Sequence, residues 1–167
     1  MIDYQQISGN EMTGRIYVGR ARNNHFLNPG ELIICHRPAV ITTVLGSCVA
    51  VCLYDVRMGI GGMNHFMLPK SGDPLKKTLK FGDVAMKAII DKFIAKTGGI
   101  KNMVAKVYGG SDTFNSTYQI GMKNIELAIG FLKERNIEIA DADVGGNLSR
   151  KIKFDTQNGD IDVNYLS

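Results

Sequence analysis

Two residues stand where type and spacing could do chemistry: Cys48 in LGSCVAVCLYD and His65 in GGMNHFMLP. A thiol and an imidazole within reach of each other are the minimum equipment for thiolate catalysis. The imidazole takes the thiol proton or holds the thiolate as an ion pair. VAVCLYD and IGGMNHFML, separated by VRMG, read as a β-hairpin. With an even-numbered loop centred near Val56-Arg57, paired positions have numbers that sum to an odd value, as those of Cys48 and His65 do. Both side chains then fall on one face, together with Ala50 and Met63.

The residues before the cysteine suit a nucleophile. Gly46-Ser47 permits a tight turn that would expose the thiol at a strand end, and the N–H groups of such a turn are candidates to stabilise an oxyanion. A catalytic imidazole needs a third group to fix its tautomer. Thr42 lies six residues before Cys48, and its hydroxyl is the candidate acceptor for the imidazole N–H. The plainer reading of each residue stands beside this one. A cysteine in an apolar strand is often core filler, and that is the reading for Cys52. Cys35-His36 closes a strand before Pro38 and reads as structural, and His25 as a surface-loop residue.

A metal site built from Cys48, Cys52 and His65 matches no standard zinc spacing, so neither metal nor cofactor is expected. The chain has no P-loop, no dinucleotide fingerprint and no GxSxG elbow.

The elements that must position these residues are short. Residues 1–13 are polar and unpatterned and read as a loose leader before a single domain over 14–167. GRIYVG, ELIICH and AVITTVL read as strands ahead of the hairpin. Residues 81–97 carry Val84, Ala88, Ile89, Phe93 and Ile94 on one helical face, with Gly98 as a stop. MVAKVYGG is a strand, and 121–135 a second helix facing inward through Ile125, Ala128, Ile129 and Leu132. IEIADADV is a strand, and KIKFDT and DIDVNYL flank an Asn-Gly turn. Four Gly-Gly pairs mark further turns. Those at Gly109-Gly110 and Gly145-Gly146 are read as turns near the site rather than phosphate cradles. The sum is an α+β layered domain with a mixed, largely antiparallel sheet and two amphipathic helices.

Composition narrows the function classes. At 167 residues the chain is long enough for one hydrophobic core. The net charge of +4 is spread along it rather than gathered in a basic stripe with aromatics, which argues against a nucleic-acid binder. No apolar stretch reaches membrane-spanning length and the first residues lack the regions of a signal peptide. Three cysteines, an odd number, fit reduced thiols in a cytoplasmic protein.

LGSCVAVCLYD together with GGMNHFMLP resembles the CheD family of chemoreceptor glutamine deamidases. Weaker agreement follows in VYGGSDTF, QIGMKNIELA, DADVGGNLSRKIKF and NGDIDVNYL, so the likeness runs over about residues 16–166. It implies an α/β sandwich related to the catalytic domain of the cytotoxic necrotizing factor toxins. It also implies a Cys–His–Thr triad falling on Cys48, His65 and Thr42. Thr43 is adjacent to Thr42, and strand alternation favours Thr42. The implied reaction is hydrolysis of receptor glutamine side chains to glutamate, and in some members of glutamate methyl esters. The implied partners are cytoplasmic chemoreceptor helices and the CheC phosphatase. The chain departs from the family where GGA is common and it has Gly109-Gly110-Ser111, and where Gly-Arg is common and it has Ser149-Arg150. A binding module with an idle Cys–His pair is the alternative from another class. A cysteine protease or transglutaminase shares the chemistry, but the short chain argues against a protease cleft.

Overall fold

The computed structural model describes residues 2–9, 12–19, 23–36 and 38–167. Among them the chain runs β1 (Ile2–Gly9), β2 (Met12–Gly19), β3 (Asn23–Phe26), β4 (Glu31–Cys35), β5 (Ala39–Leu45), β6 (Val49–Asp55) and β7 (Ile60–Asn64). It continues through α1 (Gly82–Thr97), β8 (Val104–Gly109), α2 (Ile120–Glu134), β9 (Glu138–Val144), β10 (Ser149–Asp155) and β11 (Ile161–Leu166). The strands form two sheets. One has seven strands in the order β1-β2-β4-β7-β6-β8-β9, the other four in the order β11-β10-β5-β3. Three pairs, β2·β4, β3·β5 and β8·β9, are parallel and the rest antiparallel.

The arrangement is a mixed α+β fold in three layers, with the seven-stranded sheet in the middle. Its central strands are therefore buried on both faces: β4 and β7 throughout, β6 at all but one position. Along β6 the pleat divides the side chains. Val49, Val51 and Leu53 join Ala85, Met86, Ile89, Phe93, Ala128 and Leu132 of the helices in one core. Ala50 and Cys52 join Ile41, Leu45, Ile152 and Phe154 of the smaller sheet in the other.

The sequence reading placed the strands in one mixed sheet covered by helices on one side. The second sheet was hidden because it pairs β5 with β10, far apart in the chain, and uses β3, four residues long. His25 accordingly sits in a strand and stacks edge-on against Tyr17, not in a surface loop. The leader expected over residues 1–13 is also corrected. Ile2–Gly9 pairs along its whole length with β2, as an edge strand held by ladder hydrogen bonds, which demand no apolar alternation.

Candidate active site

β6 and β7 form the expected hairpin, with Cys52 opposite Met63 and Asp55 opposite Ile60. Pairing resumes at a bridge between Val49 and Phe66, whose backbones exchange bonds of 3.1 and 3.0 Å. Val49 and Phe66 point toward the helices. Their neighbours Cys48 and His65 are set toward the smaller sheet, where Cys48 packs against the inter-sheet core.

Cys48 closes the Gly46-Ser47 turn between β5 and β6. Each carbonyl of this turn is tied inward. Gly46 accepts from the Ser111 N–H at 2.9 Å and Cys48 from the Gly110 N–H at 2.8 Å. Ser47 accepts from Asn124 Nδ2 at 2.9 Å. This approach explains the glycines after β8. Gly109 has φ +106°, and a Cβ there would collide with the Cys48 carbonyl oxygen. Gly145-Gly146 also borders the turn's support, through Gly145 N–H to the Gly109 carbonyl at 2.9 Å and Asp112 N–H to the Gly146 carbonyl at 2.8 Å.

His65 is 1% exposed, and its carbonyl accepts from the Gly30 N–H at 2.8 Å. Its Nδ1 lies 2.8 Å from Thr43 Oγ1. That hydroxyl donates its one hydrogen to the Leu27 carbonyl at 2.7 Å. It can therefore only accept from the ring, so the ring carries its proton on Nδ1 and leaves the Nε2 lone pair free. Nε2 is buried without a hydrogen-bond partner among the described residues. Burial pushes the His65 pKa down to about 4, so the imidazole is neutral at physiological pH.

The hydroxyl that orients His65 is thus Thr43's, not Thr42's. Along β5, Ile41, Thr43 and Leu45 are buried while Val40, Thr42 and Val44 turn away. Thr42 lines an open groove on the far face with Lys151 and Lys153. Parity with Cys48 favoured Thr42, but parity does not carry across the bend at Gly46-Ser47, where the strand is interrupted. If His65 serves the hydrolysis proposed below, Thr43→Ala should slow it on the order of tenfold by removing a neutral hydrogen bond of about 1 kcal/mol. Thr42→Ala should stay within about twofold of wild type. Steady-state rates of the two variants check this, and the reverse order would return the orienting role to Thr42.

The thiol is not a resting thiolate. Burial pushes the Cys48 pKa up, partly offset by a hydrogen bond from its own backbone N–H. The unpaired Nε2 also means that no thiol–imidazole hydrogen bond is formed in this state. Of the two expected states, a standing ion pair and an imidazole ready to take the thiol proton, the neutral thiol and neutral imidazole agree with the second, and contacts of this kind often tighten only once substrate is bound. Cys48 remains the accessible thiol. It is partly exposed, whereas Cys35 and Cys52 are fully buried, and burial drives the Cys52 pKa far up. Iodoacetamide should therefore modify Cys48 first, at a rate that climbs as pH rises above neutral. Peptide mapping checks the order, and labelling of Cys35 or Cys52 ahead of Cys48 would contradict it.

Sequence reading did not single out Asn124, and it met Ser111 and Arg150 only as parts of two segments that depart from the family pattern beside the substrate groove. Asn124 is fully buried on α2 beside Ile125, and a polar residue on the apolar face of a helix was the available signal. Ser111 is buried, with no partner for its hydroxyl among the described residues. Arg150 is opposite Leu45, the last residue of β5. It is 2% exposed and pairs with Asp143 Oδ1 at 2.7 Å, while also bonding the carbonyls of Asp143 and Gly145. Tyr165 donates to the same carboxylate. This cluster fastens the end of β9 to β10 and β11, and β10 in turn pairs with β5, the strand that leads into the Cys48 turn.

A partly exposed thiol on a braced turn, an imidazole of fixed tautomer and a hydroxyl behind it are the groups a cysteine hydrolase would use. Comparison with known proteins places the chain within a family. A family model described as CheD chemotactic sensory transduction matches residues 67–165. A probable chemoreceptor glutamine deamidase CheD of Sulfurimonas denitrificans is 39% identical over 145 residues, 84% of this chain and 93% of that protein. One of Trichlorobacter lovleyi is 42% identical over 144 residues, covering 84% and 89%. Among solved structures, the Bacillus licheniformis hypothetical protein YfiH aligns with TM-score 0.48 and 14% identity, over 70% of this chain and 51% of its own. The chain belongs to the CheD family.

No helix among the described residues is long and apolar enough to cross a membrane.

Proposed function

We propose that this protein hydrolyses glutamine side-chain amides of chemoreceptors to glutamate through a thioester on Cys48. The observation that carries the reading is the Leu27–Thr43–His65 relay, which holds the imidazole with its basic nitrogen unpaired. The names of the relatives supply the substrate class.

The steps follow from the groups present. Cys48 Sγ attacks the carboxamide carbon as its proton passes to His65 Nε2. The Thr43 hydroxyl accepts the Nδ1 hydrogen throughout and stabilises the imidazolium. The oxyanion is received by N–H groups of the Gly46-Ser47-Cys48 turn, whose carbonyls are engaged elsewhere. His65 then gives its proton to the departing nitrogen, which leaves as ammonia. Water, deprotonated by the same Nε2, attacks the thioester. The products are glutamate and the free thiol, so the reaction as written needs no cofactor.

The substrate is a glutamine projecting from the cytoplasmic helices of a receptor, which places this protein in the cytoplasm. CheC is its regulatory partner in cells that contain it, and the fold's proposed kin is the cytotoxic necrotizing factor catalytic domain. The raised Cys48 pKa favours a second reading, in which the chain only binds receptors or CheC. Incubation with purified receptor fragments separates the two. Mass spectrometry should show glutamine converted to glutamate with matching ammonia release. Tight binding without conversion would leave the binding module.

A further inference from the structure

Asn124 is an odd choice for its position. It lies inside α2 on the buried face, fully enclosed, and its Oδ1 has no hydrogen-bond partner among the described residues. An apolar residue of similar shape would suit both the helix and the core better. What Asn124 does have is two donor hydrogens. Nδ2 donates to the Ser47 carbonyl at 2.9 Å and to the Met67 carbonyl at 3.0 Å. Both neighbours are carbonyl oxygens, so the orientation of the amide is settled. One acceptor immediately precedes the nucleophile. The other lies two residues past the base. A single side chain thus spans both arms of the site.

The bond to Ser47 has a directional consequence. In a trans peptide the C=O and N–H point to opposite sides. With the Ser47 carbonyl drawn inward to Asn124, the Cys48 N–H of the same peptide unit points outward. The Gly46 carbonyl, held by the Ser111 N–H, does the same for the Ser47 N–H. Among the described residues no carbonyl accepts either N–H. The Cys48 N–H lies close to its own sulfur, where it partly offsets the rise that burial gives the thiol pKa. A free donor beside the attacking atom is where the oxyanion of a tetrahedral intermediate would form.

We propose that Asn124 is a positioning residue for acyl transfer: by holding the Ser47 carbonyl inside the fold, it aims the Cys48 N–H at the developing oxyanion. This rests on the thioester reading above.

Two reactions of the same thiol separate this role from simple packing. Alkylation by iodoacetamide is displacement at a saturated carbon and develops no oxyanion. Acylation by p-nitrophenyl acetate passes through one. Both need the thiol deprotonated, so their ratio isolates the contribution of the N–H donor. In Asn124→Ala, acylation of Cys48 should slow by roughly tenfold or more, since even one oxyanion donor is worth a large factor, while alkylation stays within about twofold. On receptor fragments the same loss should fall on kcat, with KM little changed. Asn124→Ser retains one small donor and should lie between, and it carries the test if the alanine variant fails to fold. Rates are taken per thiol that alkylates in the native protein, so a partly unfolded sample does not imitate the effect. Equal slowing of both reactions, or no change in either, would make Asn124 purely structural and overturn the proposal. A wild-type Cys48 that alkylates but is never acylated would instead overturn the thioester reading and this proposal with it.

Discussion

Cys48→Ala is expected to abolish ammonia release from receptor glutamines while the protein remains folded and still binds the receptor fragment. The change removes the one thiol at the turn. Cys35 and Cys52 are fully buried, and Cys52 lies within the β6 ladder opposite Met63, so neither can take over. Water attack on an unactivated amide, with only binding and the turn's N–H groups to assist, leaves a deficit on the order of 10⁴-fold or more. Stability should change little, because Cys48 sits at the edge of the inter-sheet core and is already partly exposed. Circular dichroism and titration calorimetry with the receptor fragment check fold and binding before any rate is compared. Activity within about a hundredfold of wild type, on a folded sample, would place the nucleophile elsewhere.

His65→Gln is the second large effect. The longer amide can still donate toward Thr43 but cannot accept a proton, so general base and general acid are both lost. A fall of about 10²–10⁴-fold in kcat is expected. The wild-type pH profile should carry the same signature. Burial holds the His65 pKa near 4 instead of its ordinary 6.5, so the acid limb of kcat/KM should lie near pH 4. Stability follows with a definite sign. The depressed folded-state pKa means that the unfolded chain binds the extra proton more readily. Stability is fully present above about pH 6.5 and falls as pH drops toward 4, by on the order of 3 kcal/mol. His65→Gln should flatten that part of the stability curve. An acid limb near 6.5, or an unchanged stability slope in the variant, would mean the imidazole is not buried as described.

The local hairpin was more legible than the overall architecture. Cys48 and His65 could be placed on one face by pairing parity alone, because a hairpin is local and its period of two is strict. The same parity argument failed one strand earlier. Thr43, not Thr42, meets the imidazole, because the Gly46-Ser47 bend resets the alternation. Within β5 itself the pattern was sound: Ile41 and Leu45 are the buried positions, and Thr43 lies between them. The second sheet was not legible, since it pairs residues near 40 with residues near 150 in a backbone ladder whose register no local pattern encodes. Nor was the edge strand Ile2–Gly9, which is held by its ladder. Asn124 and Ser111 reach the nucleophile turn from 60 or more residues away in sequence, a relation no local pattern encodes. Gly109-Gly110 was visible as a turn, but its reason, the closeness of the Cys48 carbonyl, belongs to the tertiary fold.

The covalent intermediate is the central claim, and partitioning with hydroxylamine tests it most directly. A thioester on Cys48 is shared between water and any better nucleophile that can enter. Receptor fragments incubated with the protein and rising hydroxylamine should yield, at one and the same glutamine, glutamyl hydroxamate at the expense of glutamate. Mass spectrometry reads both products, and Cys48→Ala should form neither. Conversion to glutamate alone at every hydroxylamine concentration, or hydroxamate undiminished in Cys48→Ala, would contradict a Cys48 thioester.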